Sequence, residues 1–457
     1  MRVTSIRSEG LEHLSYFISS ENEAIVIDPR RDVEIYLELA SQADVQITHV
    51  FETHRNEDYV IGSLELQHHI ESLKIGHSEV TNFKFGDLKL ADGDSFKVGK
   101  MKVTCNHTPG HTDDSMCYAV SDTAVSQDPI MIFTGDTLFV NEVGRTDLVD
   151  ITKTAEMAGK LFDSLHDRLL KFSDGIIIYP GHGAGSVCGA NIGDREFSTI
   201  GYERANNIWL AMDKDEFIEN KVNQGITLAS YFKHCEKLNT IGPPLVSDLP
   251  TPEMFSPAEF KEKSIMPNHI VIDTRSPQDF VNKHIPTSIS LSFKGMGLFA
   301  GWVLNPSDSF LFVLNNENDL DGAKNALIRI GFDNIVGYLG GGIDAWIQEG
   351  NPTDSIRTFT AQKLNQQLKD GNMQIIDVRQ PHEFEVESIE GSISVPLTSI
   401  SEDYTQLSAN GVYASMCPSG IRATTGASIL KNFGVENISI SLDGLKGWKN
   451  EGYNLKG

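Results

Sequence analysis

Short apolar, β-branched runs recur through the first half of the chain, each followed by polar residues: 24–28 (AIVID), 47–51 (ITHVF), 130–134 (IMIFT) and 175–179 (GIIIY). Runs of this length with little polar alternation predict strands buried on both faces. Residues 153–170 instead place Met157, Leu161, Leu165 and Leu169 four apart, which predicts a helix with one apolar face. Strands alternating with helices define an α/β layered fold, in which polar residues at strand ends are where chemistry gathers.

The pattern then changes. A proline-rich stretch, 242–257 (GPPLVSDLPTPEMFSP), reads as a linker, and an internal repeat follows it. Residues 271–293 (VIDTRSPQDFVNKHIPTSISLSF) match 375–397 (IIDVRQPHEFEVESIEGSISVPL), and each copy closes on a similar tail ending at Trp346 or Trp448. The expected organisation is three domains: 1–250 including the linker, 251–355 and 356–457. A total of 457 residues is too many for one core and agrees with this division.

Composition narrows the function classes. A net charge of −25 opposes binding to nucleic acid or an anionic membrane, since both are polyanions. No apolar run approaches the roughly 18 residues of a membrane span, and the N-terminus lacks a signal-peptide core, so a cytoplasmic location is expected. Five scattered cysteines (Cys105, Cys117, Cys188, Cys235 and Cys417) do not make a disulfide framework. Oligomeric state is left open, and a homo-oligomer is compatible with such a chain.

Four segments bring metal-ligand residue types to strand ends: 52–59 (ETHRNEDY), 107–114 (HTPGHTDD), 133–139 (FTGDTLF) and 179–186 (YPGHGAGS). In this order they resemble the metallo-β-lactamase superfamily, whose first motif is His-x-His-x-Asp-His, followed by a His, a bridging Asp and a last His. Here that motif reads His54, Asn56, Asp58 and Tyr59, so two imidazoles are missing; the later motifs supply His111, Asp136 and His182. Neutral Asn is a poor zinc ligand, and Tyr would have to lose a proton of pKa ~10. The residues left, His54, His111 and Asp136, are two imidazoles and a carboxylate, a set suited to non-haem Fe(II) and O₂. The same three positions carry iron in the persulfide dioxygenase branch, which GRTDL at 144–148 also resembles. The resemblance implies an αββα sandwich holding one Fe(2+) per chain, with zinc as the alternative. Asp58 and His182 are expected to orient ligands or waters, and Asn56 and Tyr59 to shape the pocket. Arg145 either pairs with Asp147 as structure or positions an anionic substrate. Cys188 is read as a buried inert thiol.

Residues 414–422 (ASMCPSGIR) put Cys417 at a strand-to-helix turn, where loop amides and the helix dipole favour a thiolate. Arg422 adds a positive charge for an anionic sulfur species. This segment resembles the active loop of rhodanese sulfurtransferases, with Asp377, Arg379 and the Gly444–Trp448 tail as scaffold. The middle copy has FVLNNENDLDG (312–322) in its place and no cysteine, and is expected to be a silent rhodanese-like domain. The full order resembles bacterial persulfide dioxygenase–sulfurtransferase fusions. It implies oxidation of a low-molecular-weight thiol persulfide by O₂ to sulfite, then sulfur transfer giving thiosulfate, in sulfide detoxification. A zinc thioesterase of glyoxalase II type with accessory rhodanese domains is the alternative.

Overall fold

In the computed structural model, which describes residues 1–456, the apolar runs of the first half form two six-stranded sheets. One is ordered Arg2–Ser8, His13–Ser20, Glu23–Ile27, Gln46–Phe51, Lys74–Ser78, Leu88–Leu90. The other is ordered Ser198–Thr199, Ile177–Pro180, Met131–Gly135, Met116–Asp122, Met101–His107, Ser95–Val98. Side-chain alternation explains why the runs are apolar throughout. In His13–Ser20, Leu14, Tyr16 and Ile18 enter the core between the sheets with Phe51, Tyr118 and Phe133. Phe17 faces the other way, onto Tyr36 and Ala40 of the helix Glu34–Ala43. The second sheet is covered by Ala158 and Leu161 of Thr154–Asp163 and by Phe217 of Lys214–Val222. Helices thus cover both outer faces, an αββα sandwich.

The helix expected over 153–170 is an α-helix only to Asp163; a π-helical turn, Ser164–Arg168, and a 3₁₀ turn, Leu169–Lys171, complete it. Ser164 Oγ there donates to Pro109 O (2.7 Å). Gly110 lies so close to this helix that a Cβ would sit 2.4 Å from the Leu161 Cα. That contact fixes the loop carrying His111.

The described residues divide into two compact units: 1–249 with 328–331, and 250–327 with 332–456. The second holds two five-stranded parallel sheets of identical topology. One is ordered Glu253–Phe255, Ile335–Leu339, Ser309–Val313, His269–Asp273, Ile289–Ser290; the other Arg357–Thr358, Ile438–Ile440, Tyr413–Met416, Gln374–Asp377, Ile393–Ser394. The linker expected over 242–257 is shorter than its prolines suggest. Glu253–Phe255 is an edge strand, and Ser256 caps the helix Pro257–Ser264 with a reciprocal bond to Glu259. Pro257 is the first helical residue, where a missing N–H costs nothing. The two copies share their scaffold. Arg275 bonds Asp273 and the Lys283 carbonyl, and Arg379 bonds Asp377 and the Glu387 carbonyl. Trp346 and Trp448 each donate their indole N–H to a carbonyl six residues on.

Among the described residues no helix is long and apolar enough to cross a membrane.

Candidate metal centre and sulfur loop

Every residue of the metal constellation lies on a loop leaving the C-terminal end of a strand or following one. His54 follows Gln46–Phe51, Asp136 follows Met131–Gly135, and His182 follows Ile177–Pro180. His111 lies in the loop between Met101–His107 and Met116–Asp122. The ligand atoms of His54, His111 and Asp136 lie within 4.8 Å of one another, and all three side chains are buried.

Hydrogen bonds fix both rings. Thr53 Oγ1 donates to Asp28 Oδ2 (2.8 Å), so toward His54 Nδ1, 2.9 Å away, it acts as acceptor. His111 Nδ1 donates to the Arg145 carbonyl (3.0 Å). Both Nδ1 atoms are therefore N–H donors, and both Nε2 atoms face the site. Neither Nε2 has a hydrogen-bond partner among the described residues. Buried polar nitrogens are rarely left unpaired, and an imidazole held through Nδ1–H with a free Nε2 is the form that ligates metals. The residues fit a divalent cation on this ground.

Glycines permit the close packing. A Cβ on Gly144 would lie 2.0 Å from Asp136 O, and one on Gly181 would lie 2.5 Å from Asp136 Oδ1. Arg145 is fully buried; it forks onto Asp147 (2.7 and 2.8 Å) and donates to the carbonyls of Val187, Ile226 and Thr227. Its five N–H donors are all used. The pair with Asp147 is one of the two arrangements open from sequence.

His182 bridges two carboxylates, with Nδ1 2.9 Å from Asp136 Oδ1 and Nε2 2.9 Å from Asp58 Oδ2. Burial pushes its pKa down, but Asp136 and Asp58 prevail and raise it well above the usual value. For Asp136 burial acts upward, yet His182 and then His111 and His54 bring it down to about 2. His54 is likewise raised to about 9 against burial, by Glu57, Asp136 and Asp28. The side chain of Asn56 turns back to the His54 carbonyl (3.2 Å), and Tyr59 stacks on His13 at 3.8 Å.

The motif reading missed Glu57. This fully buried carboxylate has Oε2 3.6 Å from His54 Nε2 and Oε1 3.4 Å from His111 Nε2. Burial favours its protonation, but His111 and His54 hold its pKa well below the usual range. Cys188 also reaches the site, its Sγ donating to Glu57 Oε1 (3.3 Å). Burial and the neighbouring carboxylates Asp58 and Glu57 push its pKa up, keeping it a thiol. The available signal was an acidic residue inside the one motif that had lost its imidazoles.

In the second unit Cys417 follows Tyr413–Met416, and its buried Sγ accepts N–H bonds from Gly420 (3.1 Å) and Ala423 (3.3 Å). Gly420 has φ +85° and starts the helix Ile421–Asn432. Arg422 makes a two-pronged pair with Glu383 (2.5 and 2.9 Å), which fixes its guanidinium beside the loop. In the middle copy Val313 accepts from Thr274 N as Met416 accepts from Val378 N, so Leu314 stands where Cys417 does. That position carries no nucleophile.

Known proteins agree with this architecture. The model of the metallo-beta-lactamase superfamily matches residues 9–182, and that of the rhodanese-like domain matches 256–349 and 360–451. The chain carries a metallo-beta-lactamase superfamily domain followed by two rhodanese-like domains. It is 29% identical over 205 residues to human persulfide dioxygenase ETHE1, mitochondrial, covering 43% of this chain and 70% of that protein. It is 41% identical over 100 residues to an uncharacterized protein of Mycobacterium tuberculosis, covering 22% of this chain and 42% of that one. A solved metallo-beta-lactamase from Staphylococcus aureus superposes with a TM-score of 0.66 at 27% identity, covering 74% of this chain and 98% of that structure.

Proposed function

We propose that the chain is an iron-dependent persulfide dioxygenase coupled to a rhodanese sulfurtransferase. One observation carries this reading. A single chain holds two buried imidazoles with unpartnered Nε2 atoms beside Asp136, and a cysteine whose sulfur rests on two backbone amides. Likeness to human persulfide dioxygenase over the first domain supports it.

His54, His111 and Asp136 would hold the iron, which when bound supplies the redox chemistry between dioxygen and the persulfide sulfur. The balanced reaction is RSSH + O₂ + H₂O → RSH + SO₃²⁻ + 2H⁺. The chain's own residues do the positioning. Asp28 and Arg145 set the two rings, through Thr53 and a main-chain carbonyl. His182 restrains Asp136, and Asp58 holds His182. In the second reaction the Cys417 thiolate takes the outer sulfur of a persulfide and releases RSH. Sulfite then attacks that sulfur, regenerating the thiolate and forming thiosulfate. The loop amides stabilise the anionic sulfur in each resting state. Joining both reactions in one chain raises the concentration of sulfite near its acceptor.

Anaerobic purification, metal analysis and an oxygen electrode with glutathione persulfide test the reading. One iron per chain and O₂ uptake are expected. Two tightly bound zinc ions with thioesterase activity and no O₂ uptake would instead favour the hydrolase.

A further inference from the structure

Two imidazoles of the superfamily's first motif are absent, yet the space beside His54 and His111 is not apolar. Glu57 fills it. Its two oxygens lie 3.6 Å from His54 Nε2 and 3.4 Å from His111 Nε2, and His111 Nε2 lies 3.5 Å from Asp136 Oδ2. Three atoms of this group, His54 Nε2, His111 Nε2 and Glu57 Oε2, are buried with no hydrogen-bond partner among the described residues. Two imidazole nitrogens and a carboxylate oxygen are thus buried unpaired, each nitrogen 3.4–3.6 Å from one of the Glu57 oxygens, and they share a need that only a cation or protons meet.

We propose that Glu57 is a fourth protein ligand to the metal, replacing in space the imidazole missing at position 56, with Cys188 holding it in place. The assignment rests on the metal reading of His54, His111 and Asp136, and not on the reaction proposed above. The Cys188 thiol donates to Oε1 and leaves Oε2 unpaired beside His54. Two consequences follow. A second carboxylate neutralises the charge of a divalent ion, where a site with one carboxylate leaves a net positive charge. One fewer coordination position is also open to small molecules. Charge and access at this centre are thereby set by a residue that the superfamily motif treats as a spacer.

The probe is Co(II), titrated into the full-length apoprotein under a competing chelator and followed by its visible ligand-field bands. Wild type should take up one equivalent. Glu57→Gln keeps the side chain's size and should lower affinity more than about 100-fold, beyond the usual 10–100-fold for residues behind the ligands. Its bands should shift as well. Glu57→Ala should recover much of the lost affinity in acetate, which supplies the missing oxygen. Cys188→Ala should keep the wild-type bands with a smaller loss. Wild-type affinity and bands in Glu57→Gln would overturn the assignment, and no Co(II) uptake by wild type would overturn the metal reading with it. A crystal structure of the Co(II)-loaded wild type decides even if the variants fail to fold. A Glu57 oxygen at about 2.0–2.2 Å from the ion supports the assignment, and one beyond about 3 Å refutes it.

Discussion

His54 and His111 have one ring nitrogen committed to the protein through Nδ1, so the direction of each Nε2 lone pair is set by groups that never touch the site. This separates ligands from neighbours at the level of single residues. Asn56 sits two positions from His54, its side-chain N–H turned back onto the His54 carbonyl, and a neutral amide oxygen is a poor metal ligand. Asn56→Ala should therefore keep most of the bound metal, whereas His54→Ala and Asp136→Ala should lose it, as metal analysis after desalting would show. Comparable loss in Asn56→Ala would make Asn56 a ligand and the assigned set wrong. The same logic explains what the sequence made visible here. The residue types at 54, 111 and 136 match a known spacing, so they are legible from the chain alone. The roles of Glu57 and Cys188 depend on side-chain direction within a loop and on a contact across 131 positions, which no spacing encodes. The burial of Arg145 was equally out of reach, because its carbonyl acceptors come from three separate positions far along the chain.

At the scale of elements, strands were the easiest to read, since burial on both faces leaves a continuous apolar run. The helix Ile421–Asn432 shows the opposite case. Eight consecutive residues, Ala423–Leu430, are buried, because one side packs on its own sheet and the other on the middle rhodanese copy. There Ser290 N–H donates to Ser428 Oγ, and Asn432 donates to the Thr287 carbonyl. The middle copy thus supports the helix whose first turn cradles Cys417. The loop has a second support: a Cβ on Gly444 would lie 2.0 Å from the Cys417 carbonyl, and φ there is +57°. Gly444→Ala should cut sulfur transfer at least about tenfold by misplacing the loop amides, since misplacements near 1 Å already cost about 100-fold in such sites. O₂ uptake, which uses other residues, is the internal control. A different test falls on Lys214–Val222. Lys221 is buried against Trp209 with Nζ 3.8 Å from Glu142, and burial lowers its pKa to about 8 despite that carboxylate. Below pH 8 the folded and unfolded chains both carry the proton, and the cost of burying the charge is paid in full. Between about 8 and the ordinary value of 10.5 the folded chain releases the proton while the unfolded chain keeps it, so this residue makes stability rise with pH. Lys221→Met abolishes that term. Relative to the variant, wild type should gain on the order of 2–3 kcal/mol from pH 7.5 to 10.5 in urea melts, and no change would mean Lys221 stays charged.

For the whole molecule the question is how the two proposed chemistries would divide the work on one chain, and Cys417 separates them. It is the residue at the nucleophile position of the last rhodanese copy, while Leu314 occupies that position in the middle copy. Cys417→Ser removes the sulfur that would carry persulfide but alters no candidate metal ligand. Serine fits the same amide cradle, so the fold should survive, with stability within about 1 kcal/mol by denaturant titration. With glutathione persulfide the variant should consume O₂ near the wild-type rate, while its product changes from thiosulfate to sulfite. Arg422→Ala should be milder. It frees Glu383 and loosens the loop, but leaves the Cys417 sulfur and its two amide donors in place. Changes in the 315–319 loop of the middle copy should leave transfer unaffected, because no nucleophile depends on it. Wild-type thiosulfate production by Cys417→Ser would place sulfur transfer elsewhere, for instance in direct reaction of sulfite with free persulfide. Loss of O₂ uptake would show that Cys417 supplies the oxidation centre with its substrate, reversing the proposed order of the two reactions.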